Sequence, residues 1–301
     1  MISIYTRTNN ILKKEFWKYS IKKMTGKYSG PDAVLDSLVS GLTELHIPFE
    51  INPFKPTYKN IHVLSGIQAL QDRIKNKLDS QTLIAGPTLV ITPADENKII
   101  LNKKIDIILT PSDWVKNFYV SIIPEIKNRT YSWPAGVTIP EEISTNKEIL
   151  ILKKNIDAEI FTKVKEILTG KNISFKTLEY GAFKKSEYME LLKSTSYLIY
   201  LQKTESQGIA LQEAWSYNVP TLVYQNTEFK HESYSWKDDK IAAPYLSNES
   251  GLFFTLDTFD GIISRLESLH FKPKEYCQEN LSNKKSTEKL LYIIQHHEKN
   301  Y

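Results

Sequence analysis

The stretch that decides the reading is Thr204-Glu205-Ser206-Gln207-Gly208-Ile209-Ala210-Leu211-Gln212-Glu213-Ala214-Trp215-Ser216-Tyr217-Asn218-Val219-Pro220. The apolar run Tyr197-Leu198-Ile199-Tyr200-Leu201 before it reads as a strand, and Thr221-Leu222-Val223-Tyr224 after it as a buried strand. Between them a helix is predicted from Gly208 to Tyr217, opened by a glycine. The backbone N–H groups of Gln207, Gly208 and Ile209 then lack intrahelical acceptors. The positive end of the helix dipole adds to them, so the turn suits a phosphate or a polar sugar. Gly208 lets a ligand approach the main chain without meeting a Cβ. Glu205 stands just ahead of the helix, where a carboxylate can accept hydrogen bonds from sugar hydroxyls. Glu213 stands further along it, where a carboxylate can hold the two hydroxyls of a ribose.

Working outward, strand-like and helix-like segments alternate in two series. The first holds strands at Ile2–Tyr5, Phe49–Ile51, Ile61–Leu64, Leu83–Ala85 and Ile105–Leu109. The last two are expected to end at the turn signals Gly86-Pro87 and Pro111-Ser112. Helices are predicted from Pro31 to Leu45 and after Ser112, the latter with Trp114, Val115, Phe118 and Ile122 inward. Residues Gly136 to Glu142 read as a linker. The second series holds strands at Ile149–Leu152, Ile173–Leu178 and Leu252–Phe254, besides the two around the opening stretch. Its helices are expected at Ala158–Leu168, Ser186–Leu192 and Phe259–Leu269, with a last helix around Ser286–His296. Strands alternating with helices imply parallel, doubly wound α/β sheets.

Composition narrows the class. The 301 residues are 41% apolar and 25% charged, ordinary for a globular chain that builds one large core or two small ones. Net charge is +4, and no basic patch interleaved with aromatics stands at a nucleic-acid motif spacing, so no nucleic-acid partner is expected. A single cysteine, Cys277, rules out an internal disulfide framework and a Cys-rich zinc site. The amino-terminal residues lack a signal-peptide pattern, and no apolar run reaches the ~20 residues of a membrane span, so a cytoplasmic location is expected. Peripheral membrane contact through surface side chains stays open.

Glu205 and Glu213, with seven residues between them, resemble the Glu-x7-Glu signature of retaining GT-B glycosyltransferases, above all glycosyltransferase family 4. The likeness extends over Glu-Ser-Gln-Gly-Ile-Ala-Leu-Gln-Glu-Ala and then Asn218-Val219-Pro220. It implies a GT-B architecture: two Rossmann-like domains facing a cleft, with a carboxy-terminal helix crossing back to the first. The expected domains are residues 1–141 with 284–301 on the acceptor side, and 142–283 on the nucleotide-sugar side. It implies transfer of a sugar from a nucleotide diphosphate donor to a carbohydrate-containing acceptor, with retained configuration. Glu205 would hold donor-sugar hydroxyls together with the amides from Ser206 to Ile209, and Glu213 the ribose.

Other likenesses are looser. Relatives carry an Arg and a later Lys after the first strand of the second domain, to hold the diphosphate. Here Lys153 and Lys154 stand at that strand end, and one or both would neutralise the leaving phosphate, or else form a solvated pair. Tyr180 and Gly181 fall where relatives read the base through backbone atoms. Gly30, in Tyr28-Ser29-Gly30-Pro31, is similar to the family's glycine-rich loop, or is a plain helix start with Pro31 in its first turn. No Asp-x-Asp motif is present, so no metal and no cofactor beyond the donor are expected. His46 and His62 read as structural. Two rival readings carry the same fold: a non-catalytic nucleotide-sugar binder and a GT-B nucleotide-sugar epimerase.

Overall fold

The computed structural model describes residues 1–25, 28–141 and 148–299. They form two compact units, Met1–Gly136 with Asn283–Tyr301, and Val137–Ser282. Val137 belongs to the second unit because its N–H donates to the Leu281 carbonyl at 2.9 Å and it bridges Ser282 in parallel. Glu142, the last residue read as linker and the first of the expected second domain, lies outside the described residues.

The first unit runs β1 (Ile2–Tyr5), α1 (Lys14–Met24), α2 (Gly30–Glu44), β2 (Phe49–Ile51), β3 (Asn60–Ser65), α3 (Ile67–Asn76), β4 (Thr82–Thr88), β5 (Ile107–Thr110), α4 (Asp113–Ile122) and β6 (Thr130–Ser132). Its six strands are all parallel, in the order β2-β1-β3-β4-β5-β6. Strands buried on both faces are mostly apolar, which is why Ile2, Ile4, Ile61, Val63, Ile84 and Ile108 stand in dense apolar runs, broken only by the buried Ser3 and His62.

Three expectations are corrected here. β4 does not end at Gly86-Pro87 but continues through it to Thr88. A Cβ at Gly86 would lie 2.2 Å from the Leu109 carbonyl oxygen, and its φ is +111°, so the glycine marks close strand contact rather than a turn. The inner face of α4 carries Tyr119, whose hydroxyl donates to the Val90 carbonyl at 2.6 Å, in place of Ile122. Helices α1 and α3 stand where no helix was expected.

The terminal helix Asn283–Lys299 packs on α2 inside the first unit. Trp133 donates its indole N–H to the Ser286 carbonyl at 2.9 Å, and Ser286 donates its hydroxyl to the Pro134 carbonyl at 2.6 Å. Tyr301, the end of the expected crossover segment, lies outside the described residues.

The second unit runs β7 (Glu148–Lys153), α5 (Ala158–Gly170), β8 (Phe175–Glu179), α6 (Lys185–Leu192), β9 (Thr195–Leu201), α7 (Ile209–Ser216), β10 (Thr221–Tyr224), β11 (Glu228–His231), β12 (Tyr234–Lys237), β13 (Gly251–Phe254), α8 (Leu256–Ser264) and α9 (Pro273–Asn280). Five parallel strands lie in the order β13-β10-β9-β7-β8, and β11-β12 is a separate antiparallel hairpin. Alternation along each strand sends Leu150, Leu152, Leu198 and Tyr200 to one core, with Leu211 and Trp215 of α7. It sends Ile149, Ile151, Ile199 and Leu201 to the other, against α5 and α8. The chain steps from β7 out to β8, then returns across β7 to β9, so the winding reverses between β7 and β9. Ligands of open α/β sheets bind at such a reversal, beyond the carboxyl ends of the strands.

Candidate active site

The loop leaving β9 is pinned to the loop leaving β7. Asn155 donates its N–H to the Gln202 side-chain oxygen at 2.6 Å, and Lys203 donates its own to the Asn155 carbonyl at 3.1 Å. Glu205 donates its N–H to the Ile241 carbonyl at 2.8 Å, which fixes the residue ahead of α7. Gly208 then adopts φ +74°, a left-handed conformation that a residue with a Cβ rarely takes, and α7 begins at Ile209. Added at Gly208, a Cβ would meet only ordinary contacts, so backbone shape rather than crowding selects this glycine. Ser206 is exposed, whereas Gln207 and Gly208 are buried. Both polar atoms of the Gln207 side chain are buried without a hydrogen-bond partner, as is the side-chain oxygen of Gln212.

Lys154 follows β7 directly, and its ammonium pairs with the Glu205 carboxylate. The same carboxylate oxygen accepts the hydroxyl of Tyr200, which is fully buried. Burial and the Glu205 charge push the Tyr200 phenol well above its usual range, so it stays protonated and donates. The exposed ring of Tyr180 stacks under Lys154, 4.5 Å from the ammonium. Tyr180 is itself held by its N–H on the Lys153 carbonyl at 2.9 Å.

Glu213 lies on α7, buried, 2.9 Å from the Lys185 ammonium at the start of α6. Burial raises its carboxyl pKa, and Lys185 offsets only part of that rise. Nearby Tyr188 donates its hydroxyl to the Ala210 carbonyl at 2.7 Å, which locks α6 against α7.

The structure therefore brings Glu205, Lys154 and Tyr180 together beside the helix start formed by Ser206, Gln207, Gly208 and Ile209, with Glu213 further along the same helix. Lys153 turns elsewhere, to Glu179 at 2.8 Å and over the Phe161 ring at 5.2 Å. Gly181 sits in the turn after β8 with φ +89°. Gly30 belongs to the first unit and opens α2, where the Asp32 carboxylate accepts the Ser29 N–H at 2.7 Å and pairs with Lys22. Tyr200 and Lys185 escaped the sequence reading. Strand alternation offered a signal for Tyr200, since it shares a face with Leu198 and lies close before Glu205.

No family model matches the chain, and no curated protein matches its sequence. Solved structures do match. The apo form of the lipopolysaccharide outer core galactosyltransferase WaaB aligns over 98% of this chain and 99% of its own, with a TM-score of 0.61 at 11% identity. UDP-GlcNAc 2-epimerase from Methanocaldococcus jannaschii aligns over 98% and 99%, at 0.52 and 12% identity. TarM aligns over 78% of this chain and 54% of its own, at 0.51 and 13% identity. The fold is the GT-B one, a mixed α/β chain with two parallel sheets.

Proposed function

We propose that the chain is a glycosyltransferase that moves a sugar from a nucleotide diphosphate donor to an acceptor hydroxyl, with retention and without a metal ion. One observation carries the reading: the Lys154–Glu205 pair, buttressed by Tyr200, stands at the amino end of α7 and at the winding reversal of the sheet. A departing diphosphate needs positive potential fixed in place before the bond breaks. Lys154 and the free N–H groups of a helix start supply that, and the Tyr180 ring holds the ammonium without neutralising it. Glu205 accepts hydrogen bonds from donor-sugar hydroxyls, and Glu213 from the ribose.

In the step itself, the bond from the anomeric carbon to the phosphate oxygen breaks. The acceptor oxygen bonds to that carbon on the same face, and its proton passes to the departing phosphate oxygen. The likeness to a galactosyltransferase over nearly the whole chain supports this class. The equally complete likeness to a UDP-GlcNAc 2-epimerase keeps one alternative in view, change of the sugar without an acceptor. Incubation with UDP-, GDP- and ADP-sugars, with and without lipid- or glycan-linked acceptors, separates the two. Nucleotide release that requires acceptor, with an unchanged anomeric configuration by NMR, is the expected result, and Lys154→Met should slow it about a hundredfold. An epimerised sugar from donor alone would replace transfer by epimerisation.

A further inference from the structure

Helix α1 of the first unit exposes an apolar stripe. Most surface helices bury their apolar stripe. The inward side of α1 carries Glu15 together with Phe16 and Tyr19: the Glu15 carboxylate accepts the N–H groups of Thr8, Gln68 and Ala69 at 2.7, 2.8 and 3.1 Å. On the same side, the Arg7 guanidinium lies 4.7 Å over the Phe16 ring and 5.4 Å over the Tyr19 ring. Trp17, Ile21 and Met24, at i, i+4 and i+7, form a stripe on the opposite side, 56%, 58% and 87% exposed.

The stripe continues into the preceding turn. Trp17 donates its indole N–H to the Ile11 carbonyl at 2.7 Å, which sets Ile11 and the 89% exposed Leu12 beside it. Among the described residues, six of the thirteen exposed large apolar side chains fall between Ile11 and Tyr28. Lys14 and Lys18 flank the stripe one position to its side and make no ion pair among the described residues. Between Arg7 and Tyr28 the sequence holds seven Lys or Arg and a single acidic residue, Glu15.

We infer that this face of α1, with Ile11 and Leu12, is a docking surface for an anionic lipid bilayer. Apolar side chains and a tryptophan ringed by lysines match the boundary of a bilayer, where tails meet headgroups and anionic lipids attract cations. The rigid seating of α1 by Glu15 and Arg7 keeps the face presented rather than folded back. The inference is independent of the reaction proposed for the second unit.

The test is flotation of the full chain with vesicles of phosphatidylcholine alone and of phosphatidylcholine mixed with phosphatidylglycerol. Binding is expected on the mixed vesicles only, to weaken at about 0.5 M salt, and to blue-shift the Trp17 emission, a shift lost in Trp17→Phe. Lys14→Glu with Lys18→Glu should weaken binding at least about tenfold, and Trp17→Ser with Ile21→Ser by as much, both with unchanged thermal unfolding. Absence of binding, equal binding to neutral vesicles, or indifference to the lysine pair would overturn it. So would a dimer in sedimentation velocity that Ile21→Ser breaks, because a second copy would then cover the face.

Discussion

One oxygen of Glu205 takes two donors, the Lys154 ammonium and the Tyr200 phenol. That arrangement fixes the carboxylate from two sides, and it sets a direct expectation for Tyr200→Phe. The substitution keeps the buried ring and deletes one hydrogen bond to a charged group, worth about 1.5–3 kcal/mol. Steady-state kinetics should record a kcat lowered about tenfold with a smaller change in KM. An unaltered kcat would reduce Tyr200 to packing.

The two lysines illustrate how far the sequence could be read. Both were visible at a strand end, but only pleating separates them: Lys153 still belongs to the strand and shares the face of Ile149 and Ile151, toward Phe161 of α5. Lys154 is the first residue past the strand and escapes toward the α7 side. The partner of Glu213 was not readable, because Lys185 lies 28 positions away on another helix and only the fold brings it near.

His62 gives a prediction of a different kind. It is fully buried, bonded through Nε2 to the Gly86 carbonyl at 2.7 Å and packed edge-on against Trp133. Burial lowers its pKa to about 4 from 6.5. Between pH 6.5 and pH 4 the unfolded chain therefore binds a proton that the folded chain refuses, and stability falls as pH falls through that window. The loss approaches about 3 kcal/mol at its lower end. Denaturant unfolding at a series of pH values should trace this fall, and His62→Gln should remove that share of the slope.

Among elements, those with strong period-two or helical apolar patterns were legible, including β10, whose limits Thr221–Tyr224 agree with the sequence reading. The failures share a physical cause: the local pattern did not point at a core. α1 presents its apolar stripe outward, α3 buries only Ala69 and Leu70, and α9 buries only Pro273 and Cys277. The hairpin β11-β12 is two four-residue strands around a turn, with half-buried Phe229, His231, Tyr234 and Trp236 on one side.

Contact between α2 and the terminal helix is the element-scale feature most open to test. A Cβ on Gly41 would stand 2.1 Å from the Thr287 hydroxyl oxygen and 2.3 Å from the Asn283 carbonyl oxygen, the second a backbone atom that cannot turn aside. Gly41→Ala, favourable in an isolated helix, should instead destabilise the protein by about 1–3 kcal/mol in urea unfolding. A stabilised variant would mean that the terminal helix does not press on α2.

For the whole molecule, two series of alternating strands and helices sufficed to read two parallel sheets, because strands covered on both faces are predominantly apolar. What the pattern could not supply was the order of the strands. That order places the winding reversal of the second sheet between β7 and β9, and so collects residues from three separate loops around Glu205. The likeness to solved GT-B structures covers nearly the entire chain at about a tenth of identical residues, so the architecture persists where almost all side chains differ. A fold does not by itself fix a function, so the proposed reaction stands or falls with the groups gathered at that edge.

The most direct measurement is a thermal-unfolding screen with UDP-, GDP- and ADP-sugars on the wild type and on Glu213→Gln. One donor class should stabilise the wild type, by about 2.7 kcal/mol at a hundredfold excess over Kd. The variant keeps the side-chain shape and leaves the partly exposed Lys185 ammonium free to turn to water, so it should stay folded without ligand yet lose most of that gain. A Glu213→Gln protein stabilised as strongly as the wild type would contradict the assignment of this helix to the donor.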